Sequence, residues 1–246
     1  MGRLEYKYLV ASKYKDSLRE DIIPYLKHDY YSDRMPNKVY IVRSIYLDSP
    51  SLDSYYEKLS GVLVRNKFRV RGYNELTPES NVFAEIKRKE NDYVTKDRTQ
   101  VLYKNLNDFL NNYDISKVVN HSIEYQKRLD SARNFFFYLT RDKLSPIINV
   151  IYEREAFECK YGSGLRITFD MNVRSFITQS FDNLFSKTKT DLLYPNEFVF
   201  EVKFNKALPS WVPSIINKYQ LTRVAVSKYA FCLDKWMSNK ILIHSF

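Results

Sequence analysis

The sequence predicts an α+β fold in which about eight strands form an antiparallel sheet or barrel and helices pack outside it. Two observations carry this prediction. Segments that alternate with period two, rich in β-branched and aromatic residues, recur along the chain, mostly in hairpin order. Five further segments have helical character and lie between or after them. The length of 246 residues suits one large domain or two small ones, and no stretch argues for a domain boundary.

The predicted strands share an alternation of apolar and polar side chains. They are Leu4–Val10, Val39–Leu47, Val62–Gly72, Val82–Lys89, Tyr93–Val101, Ile147–Glu158, Leu165–Asp170 and Phe198–Phe204. The sequence Tyr161-Gly162-Ser163-Gly164 between two of these strands is typical of a hairpin turn. This order favours an antiparallel arrangement, because neighbouring strands need no long crossover.

The predicted helices begin after capping residues or a proline. They are Lys13–His28 after a Ser12 cap, Leu52–Leu59 after Ser51, Ile123–Leu139, Trp211–Tyr219 after Pro209-Ser210, and Val226–Trp236. The last of these closes the domain.

The chain is strongly basic, with 39 lysine and arginine residues against 29 aspartate and glutamate residues and a net charge of +10. Such a charge indicates an anionic partner, whether nucleic acid, a phosphorylated metabolite or a membrane surface, unless it reflects only a compositional bias. The five glycines form neither a G-x-G-x-x-G motif nor a Walker loop. The two common backbone motifs that bind phosphate are therefore missing. Whether the charge indicates an anionic partner depends on how the charged side chains are arranged.

The two cysteines, Cys159 and Cys232, exclude a disulfide framework and a cysteine-based zinc site. A reducing cytoplasm is the simplest location for such a chain, and we predict that the protein is cytoplasmic. No apolar run approaches the roughly 18–20 residues that a membrane span needs. We therefore expect no transmembrane segment, while a membrane-bound partner remains open.

Cationic side chains concentrate on one face of the predicted strands. Between Val64 and Tyr73 one face carries Arg65, Lys67, Arg69 and Arg71, and the other is largely apolar. Six further strands repeat the pattern with Arg3, Glu5 and Lys7; Glu85, Lys87 and Lys89; Lys96 and Arg98; Tyr152 and Arg154; Arg166, Thr168 and Asp170; and Glu201 and Lys203.

Such faces point either outward to water, as in an open sheet, or inward to something anionic. Like charges on adjacent strands repel, and an unpaired charge in a narrow lumen costs several kcal/mol. If helices cover the apolar faces, the lumen must therefore hold water and a polyanion, since arginine and lysine bind phosphate oxygens well. The carboxylates Glu5, Glu85, Asp170 and Glu201 would pair with cations or hold a divalent metal between phosphates.

At these residues the sequence resembles a known family. The matching segments are, in order, Arg3-Leu4-Glu5-Tyr6-Lys7-Tyr8, Ser44-Ile45-Tyr46-Leu47-Asp48, Lys67-Phe68-Arg69-Val70-Arg71-Gly72-Tyr73, Phe83-Ala84-Glu85-Ile86-Lys87, Tyr152-Glu153-Arg154-Glu155-Ala156-Phe157, Leu165-Arg166-Ile167-Thr168-Phe169-Asp170, Phe200-Glu201-Val202-Lys203 and Ser227-Lys228-Tyr229. Their order and spacing resemble the VTC domain, the polyphosphate-polymerase branch of the CYTH-like triphosphate tunnel metalloenzymes. The match extends over most of the chain, so we expect residues 1–246 to be a single tunnel domain.

The resemblance implies a tunnel of eight antiparallel strands whose basic residues hold the triphosphate of ATP and a growing polyphosphate chain. It implies phosphate contacts at Lys7, Arg69, Arg71, Lys87, Lys96, Tyr152, Arg154, Ser227 and Lys228, and it places a metal-holding glutamate at Glu201, with Glu85 as a weaker second. The alternation selects most of these positions independently and adds Arg3, Lys67, Arg166 and Lys203 as candidates for substrate binding.

The activity implied is transfer of the γ-phosphoryl group of ATP to the end of a polyphosphate chain, with Mn²⁺ or Mg²⁺ as cofactor. Lys7, Arg69, Arg71, Lys87, Arg154 and Lys228 are the candidate catalytic residues. Two departures stand out: Arg3 occupies the place of the first glutamate of E-x-E-x-K, and Ala225 replaces a basic residue found two positions before the Ser-Lys pair in eukaryotic members.

Three alternatives follow from the same residues. One is a metal-dependent tunnel triphosphatase or polyphosphatase, in which water accepts the phosphoryl group. Another is a non-catalytic module that binds polyphosphate or an inositol phosphate. The third, a nucleic-acid binder, needs aromatic residues on the cationic face, whereas Phe68, Phe169 and Phe200 lie opposite the charges. We therefore predict no nucleic-acid partner.

Overall fold

The structure, a computed structural model, describes residues 2–91, 93–119 and 124–243, with only the backbone course of the last five of them. Its strands are β1 (Arg3–Ala11), β2 (Leu26–His28), β3 (Val39–Asp48), β4 (Val64–Tyr73), β5 (Asn81–Glu90), β6 (Tyr93–Leu102), β7 (Ser145–Cys159), β8 (Arg166–Ile177), β9 (Asp191–Leu192) and β10 (Glu197–Phe204). Its α-helices are α1 (Lys15–Ile22), α2 (Tyr30–Asp33), α3 (Asp53–Leu59), α4 (Leu106–Asn111), α5 (Tyr125–Arg141), α6 (Trp211–Lys218) and α7 (Lys228–Ile243).

Eight strands close into an antiparallel ring. Around the ring their order is β7, β3, β4, β5, β6, β1, β10 and β8, and β8 pairs back onto β7. The two remaining strands, β2 and β9, add to β7 and β8 outside the ring. The eight ring strands are the eight that the alternation predicts, so the predicted α+β fold with an eight-stranded antiparallel ring is confirmed.

One seam of the ring is held by few pairs. Strand β1 pairs with β10 from Leu4 to Ala11, but with β6 only at Arg3 and Leu4. Beyond that point a non-helical segment, residues 223–227, lies along β1. The amide of Val224 donates to the carbonyl of Lys7 at 2.8 Å, and Arg223 forms an isolated antiparallel β-bridge with Tyr8. This segment, which leads directly into α7, lies where β6 has left the edge of β1.

The apolar faces of the ring strands point outward and are covered by helices. On one side Phe68 and Val70 of β4 belong to a core that includes Phe109 of α4 and Phe135 of α5. On the opposite side the core of β1, β8 and β10 includes Leu18 of α1, Ile22 of α1, and Val212 and Ile215 of α6. Because side chains alternate along a strand, this packing turns the charged faces into the ring.

Helix α7 is anchored by a buried carboxylate. Asp48, at the end of β3, accepts hydrogen bonds from the amides of Ser54 and Tyr55 at the start of α3, and from the hydroxyl of Tyr229 at 2.6 Å. Tyr229 also stacks on Tyr46, with the ring centroids 5.2 Å apart. One aspartate thus fixes the first turn of α3 and the first turn of α7 on the same strand.

Several predicted boundaries differ from the structure. The predicted helix Lys13–His28 is wrong as one element: a 3₁₀ turn over Ser12–Tyr14 precedes α1, the helix ends at Ile22, and β2 follows. Pro24 explains the end, because it has no amide hydrogen to continue the helix. The side chains of Ser12 and Ser51 do not cap the helices predicted to follow them. At α3 the amides of Ser54 and Tyr55 donate to Asp48 instead.

The other differences are smaller. Helix α7 begins at Lys228 rather than Val226, β8 runs to Ile177 rather than Asp170, and α6 ends at Lys218. The first residue of the predicted helix Ile123–Leu139 lies outside the described residues, and α5 ends two residues later than predicted. The predicted hairpin turn joins β7 to β8 and uses positive φ angles at Gly162 and Gly164, which glycine adopts without strain.

Candidate functional site

The interior of the ring contains a cavity of about 440 Å³ whose lining is strongly cationic. Twelve lysine and arginine side chains line it, against two glutamates, Glu5 and Glu201. The cations are Lys7, Lys58, Arg65, Lys67, Arg69, Arg71, Lys87, Lys89, Arg154, Lys203, Arg223 and Lys228. Such a surplus of one sign in a confined space attracts an anion that carries several charges.

The structure brings most of the predicted site residues to this cavity. The lining contains ten of the predicted contacts, from five ring strands and the start of α7: Lys7, Lys67, Arg69, Arg71, Lys87, Tyr152, Arg154, Lys203, Ser227 and Lys228. The predicted metal residue Glu201 also lines it. The alternation of each strand, together with ring closure, is what turns these distant residues toward one another.

Four predicted residues lie elsewhere. The guanidinium of Arg3 bonds to Asn205 at 3.1 Å on the surface, and that of Arg166 bonds to Asp29 at 2.7 Å. Lys96 lies 3.2 Å from a carboxylate oxygen of Glu85. None of these residues, nor Glu85 itself, is among the cavity lining. These four residues lie on the predicted face of their strands, but at positions along the strand that are outside the cavity.

The two cavity glutamates share their cationic partners. The ammonium of Lys203 is 3.3 Å from Glu201 and 3.9 Å from Glu5, and that of Lys7 is 3.7 Å and 3.8 Å from the same two residues. Burial acts to raise the pKa of Glu201, but Lys203 and Lys7 hold it well below its ordinary value. Burial also acts to raise the pKa of Glu5, but Lys87, Lys203 and Lys7 lower it below its ordinary value, so both carboxylates are ionised at neutral pH, and both line the cavity.

This donor set fits a divalent metal that is bound together with its substrate. Among the described residues there is no group of three histidine, cysteine, aspartate or glutamate side chains that could hold a metal ion. Mg²⁺, however, is commonly bound by one or two carboxylates with substrate phosphates completing its coordination. Glu201 and Glu5 offer two such carboxylates, so Glu5 replaces Glu85 as the second candidate.

Glu85 has a different role in the structure. It is fully buried, and its carboxylate lies 2.7 Å from Arg69, 3.2 Å from Lys96 and 3.2 Å from Arg98. These cations hold the pKa of Glu85 well below its ordinary value despite burial. Glu85 does not line the cavity; its carboxylate fixes the guanidinium of Arg69 toward the interior instead.

A second buried carboxylate aligns two further cations. Asp170 of β8 is fully buried and accepts hydrogen bonds from Arg154 and from Lys228. Burial acts to raise its pKa, but the two cations lower it to about 2. The sequence indicated Asp170 as a cation partner but did not place it in the site, and the residue it positions, Arg154, is a predicted catalytic group.

A layer of aromatic and charged residues lies next to the cavity along the ring. The guanidinium of Arg98 lies 3.5 Å from the ring centroid of Phe83 and donates to the hydroxyl of Tyr73 at 3.3 Å. Tyr73 contacts Phe83 and Tyr40 edge to face, at 5.9 and 6.1 Å. None of these residues lines the cavity; Phe83 pairs with the lining residue Arg71 across β4 and β5, so the layer lies beyond Arg71 along the ring.

Four lining cations were not selected as site residues from the sequence. Arg65 and Lys89 lie on the predicted cationic faces, two residues from Lys67 and Lys87, so the alternation already contained the signal. Lys58 comes from α3 and Arg223 from the segment before α7. No strand periodicity reaches those two positions, and only the packing of α3 and of the segment beside β1 brings them to the cavity.

A closed antiparallel ring with helices outside and a surplus of cations inside defines a tunnel-type α+β barrel with a strongly cationic interior. The family can also be stated. The chain belongs to the VTC domain family, whose model matches residues 2–237. The resemblance seen in the sequence is thereby confirmed over nearly the whole chain.

Solved structures with a similar course of the chain have low sequence identity. A putative adenylyl cyclase from Hippeastrum, described as having a dominant triphosphatase activity, matches with a TM-score of 0.49 and 12% identity over 96% of each chain. A putative adenylate cyclase from Bacillus halodurans matches with 0.48 and 10% over 92% of this chain and 96% of its own. A protein from Pyrococcus horikoshii OT3 matches with 0.47 and 13% over 95% and 99%.

The helices of the described part of the chain include none that is both long and apolar enough to cross a membrane.

Proposed function

We propose that this protein is a polyphosphate polymerase, an ATP-polyphosphate phosphotransferase that moves the γ-phosphoryl group of ATP onto the terminal phosphate of a polyphosphate chain and releases ADP. ATP and polyphosphate are its proposed partners, and Mn²⁺ or Mg²⁺ its proposed cofactor. Membership of the VTC domain family supports chemistry on phosphoryl groups. The finer assignment rests on the cavity.

The observation that carries the proposal is the excess of cations within the ring. Twelve lysine and arginine residues share the lining with two glutamates. The buried carboxylates of Glu85 and Asp170 lie within ion-pair distance of four of these cations, Arg69, Arg71, Arg154 and Lys228. A surplus of cations remains, and these repel one another unless an anion intervenes. Two phosphorylated substrates, placed end to end, would supply charge at both the donor and the acceptor positions. A single small anion would leave much of the lining uncompensated.

Each group of residues has a distinct role in the proposed reaction. Arg69, Arg71 and Arg154 bind equatorial oxygens of the transferred group, because guanidinium groups match phosphate oxygens with two parallel donors. Lys7, Lys87 and Lys228 neutralise charge on the attacking and bridging oxygens. Phosphoryl transfer depends mainly on such positioning and charge neutralisation.

The metal residues complete this site. Glu201 and Glu5 would hold Mn²⁺ or Mg²⁺, and the ion would supply charge neutralisation on the polyanion. Lys7 and Lys203 would hold these carboxylates in place from both sides. Tyr152 and Ser227, both in the lining, add hydroxyl donors to the phosphate oxygens.

Product analysis tests the proposal against hydrolysis. The purified protein is incubated with ATP, a short polyphosphate and Mn²⁺, and its products are separated by gel electrophoresis and assayed for ADP and inorganic phosphate. A ladder of lengthening polyphosphate with equimolar ADP supports a polymerase. Release of inorganic phosphate without a ladder would identify a triphosphatase, and binding without ADP release a non-catalytic module.

A matched pair of variants ties the activity to the cavity. Arg69→Ala removes a lining guanidinium and is expected to lower turnover at least about 100-fold, as for loss of one preorganised charge donor. Arg133→Ala removes an exposed arginine that pairs with Asp130 on the surface of α5, and is expected to change nothing. Equal turnover in the two variants would refute the assignment of Arg69.

A further inference from the structure

One lysine of the cavity differs from the others in its partner. The Nζ atom of Lys67 lies 2.6 Å from the hydroxyl oxygen of Ser227. Within the described residues no carboxylate lies within ion-pair distance of this amine. The neighbouring lysines do have such partners: Lys87 pairs with Glu5, Lys203 with Glu201 and Lys228 with Asp170.

The surroundings of Lys67 disfavour its charged form. Burial is the largest cause, and Lys7, Lys87, Arg65 and Lys58 add repulsion, so the pKa of Lys67 lies well below its ordinary value. Burial and repulsion thus favour the neutral amine of Lys67, which is a base, and its nitrogen lies beside the hydroxyl oxygen of Ser227. This is the arrangement in which a serine is activated by an amine rather than by a histidine.

Ser227 is placed to react with an anion in the cavity. Its side chain precedes α7 and accepts a hydrogen bond from the amide of Ala230 at 3.3 Å, while the residue lines the cavity. The ammonium of Lys7 donates to the carbonyl of Val226 at 3.2 Å, one residue away. The positive end of a helix dipole, with lysines around it, stabilises negative charge that develops on this oxygen or on a phosphate attached to it.

We propose that Ser227 is itself a phosphoryl acceptor, modified by the nucleoside triphosphate that the proposed function binds, with Lys67 as the base. The Oγ–phosphorus bond forms as the bond from the γ-phosphorus to the β,γ-bridging oxygen breaks. The electron pair of the broken bond leaves with the nucleoside diphosphate, and the hydroxyl proton passes to Nζ of Lys67. The step needs no reactant beyond the nucleoside triphosphate.

The modification has a chemical consequence in the same cavity. A phosphoserine at position 227 carries about two negative charges next to Lys7, Lys67 and Lys228, so it relieves part of the repulsion among these lysines. Its terminal oxygens resemble those of a polyphosphate end. Phosphorylated Ser227 can therefore serve as the first acceptor when no free polyphosphate is present, and the chain that grows on it is covalently attached.

Intact-protein mass spectrometry tests this. The full chain is incubated with ATP and Mn²⁺ without added polyphosphate and then denatured, and its intact mass is measured. We expect a gain of roughly 80 Da, or a series of such steps. Tryptic digestion assigns it, because the peptide from Val224 to Lys228 contains one hydroxyl residue, Ser227. Ser227→Ala should remove the modification, and Ser227→Thr, which keeps a hydroxyl, should retain it.

The role of Lys67 is tested by a variant that keeps a long basic side chain but cannot give up its proton. Lys67→Arg is permanently protonated and offers no usable base, so phosphorylation of Ser227 should slow at least about 100-fold. In the wild-type protein the initial rate of labelling should rise with pH until Lys67 is fully neutral, and Lys67→Arg should abolish this dependence. Far-ultraviolet circular dichroism and a thermal melt show that each variant is folded.

The outcomes separate this inference from the proposed function. A polyphosphate ladder from an added primer, without any modification of Ser227, overturns the inference while the polymerase assignment stands. Modification of Ser227 without a ladder overturns the polymerase assignment and keeps the inference. A gain in mass that maps to another residue, or that is unchanged in Lys67→Arg, also overturns the inference.

Discussion

Arg154 and Asp170 form a two-point ion pair across adjacent strands, with Nε and Nη2 of the guanidinium 2.6 and 2.8 Å from the two carboxylate oxygens. Arg154 lies opposite Asp170 in the register of β7 and β8, and the ammonium of Lys228 binds the same carboxylate. The orientation of two lining cations is thus fixed by one buried residue that does not itself line the cavity.

Replacing Asp170 by asparagine should therefore damage both activity and stability. Misaligned Arg154 and Lys228 should lower ATP turnover about 100-fold, and two buried cations without their anion should lower the free energy of unfolding by about 3–5 kcal/mol. Steady-state assays and urea unfolding measure the two effects. Asp21→Asn breaks an exposed pair with Lys218 and should cost less than about 1 kcal/mol. Similar losses in both variants would contradict the prediction.

The two buried glutamates Glu201 and Glu85 should respond differently to the same substitution. Glu201→Gln removes a carboxylate that faces the cavity, so the Mn²⁺ concentration for half-maximal activity should rise at least about 10-fold, as when a metal site loses an important contact. Glu85→Gln disturbs the cations around it and should lower stability without changing the metal requirement. A metal titration of each variant measures this, and a raised requirement in Glu85→Gln alone would reverse the assignment.

Lys203 should make polyanion binding sensitive to alkaline pH. Burial lowers the pKa of Lys203 to about 8, so its ammonium is present below pH 8 and is lost as the pH rises through that value. An anion binds the protonated form, and binding above pH 8 must therefore take up a proton. The affinity for tripolyphosphate should be flat below this pH and fall above it, by up to about tenfold per unit.

Calorimetric titrations in EDTA, at several pH values, check this dependence without any metal at the neighbouring glutamates. Lys203→Arg keeps its charge throughout and should lose this part of the pH dependence. Lys206→Arg, at an exposed position close by, should behave as the wild type. If Lys203→Arg and the wild type follow the same curve, Lys203 does not titrate in this range.

The layer of Tyr73, Phe83 and Arg98 should limit the length of the product under the proposed function. Phe83→Ala removes the ring against which Arg98 lies and opens space next to the cavity, so the mean chain length should increase. Gel electrophoresis of the products measures it, with a thermal melt to exclude unfolding. As a control, Tyr161→Ala removes an aromatic residue that is 78% exposed in the β7–β8 turn and should leave the mean chain length unchanged. An unchanged chain length in Phe83→Ala would show that the layer plays no part.

Most of the fold and much of the site could be predicted from the sequence because period-two alternation determines the face of a strand. Arg65, Lys67, Arg69 and Arg71 point into the cavity for that reason. Alternation says nothing about how far along the ring a residue lies, since depth depends on the register between strands. Lys96 and Glu85 therefore share the predicted face with Lys87 yet lie outside the cavity lining.

Other features depended on contacts that no local pattern contains. Strand β2 has only three residues and pairs with β7 more than 125 residues away, so its sequence alone resembles the end of α1. The side chains that accept from the first amides of α3 are those of Asp48 and Ser49 rather than that of Ser51. Lys58 and Arg223 reach the cavity from a helix and from an irregular segment, where no periodicity applies.

The short pairing of β1 with β6 has a mechanical consequence for the whole barrel. Past Leu4 the wall is completed by the strip of chain at residues 223–227, which is held to β1 through Lys7 and Tyr8 and continues into α7. The segment that completes the shortest strand pairing of the ring is therefore also the segment that leads into α7. Displacement of α7 is therefore expected to open the ring between β1 and β6, and under the proposed function a polyphosphate chain would then leave through the side of the barrel rather than along its axis.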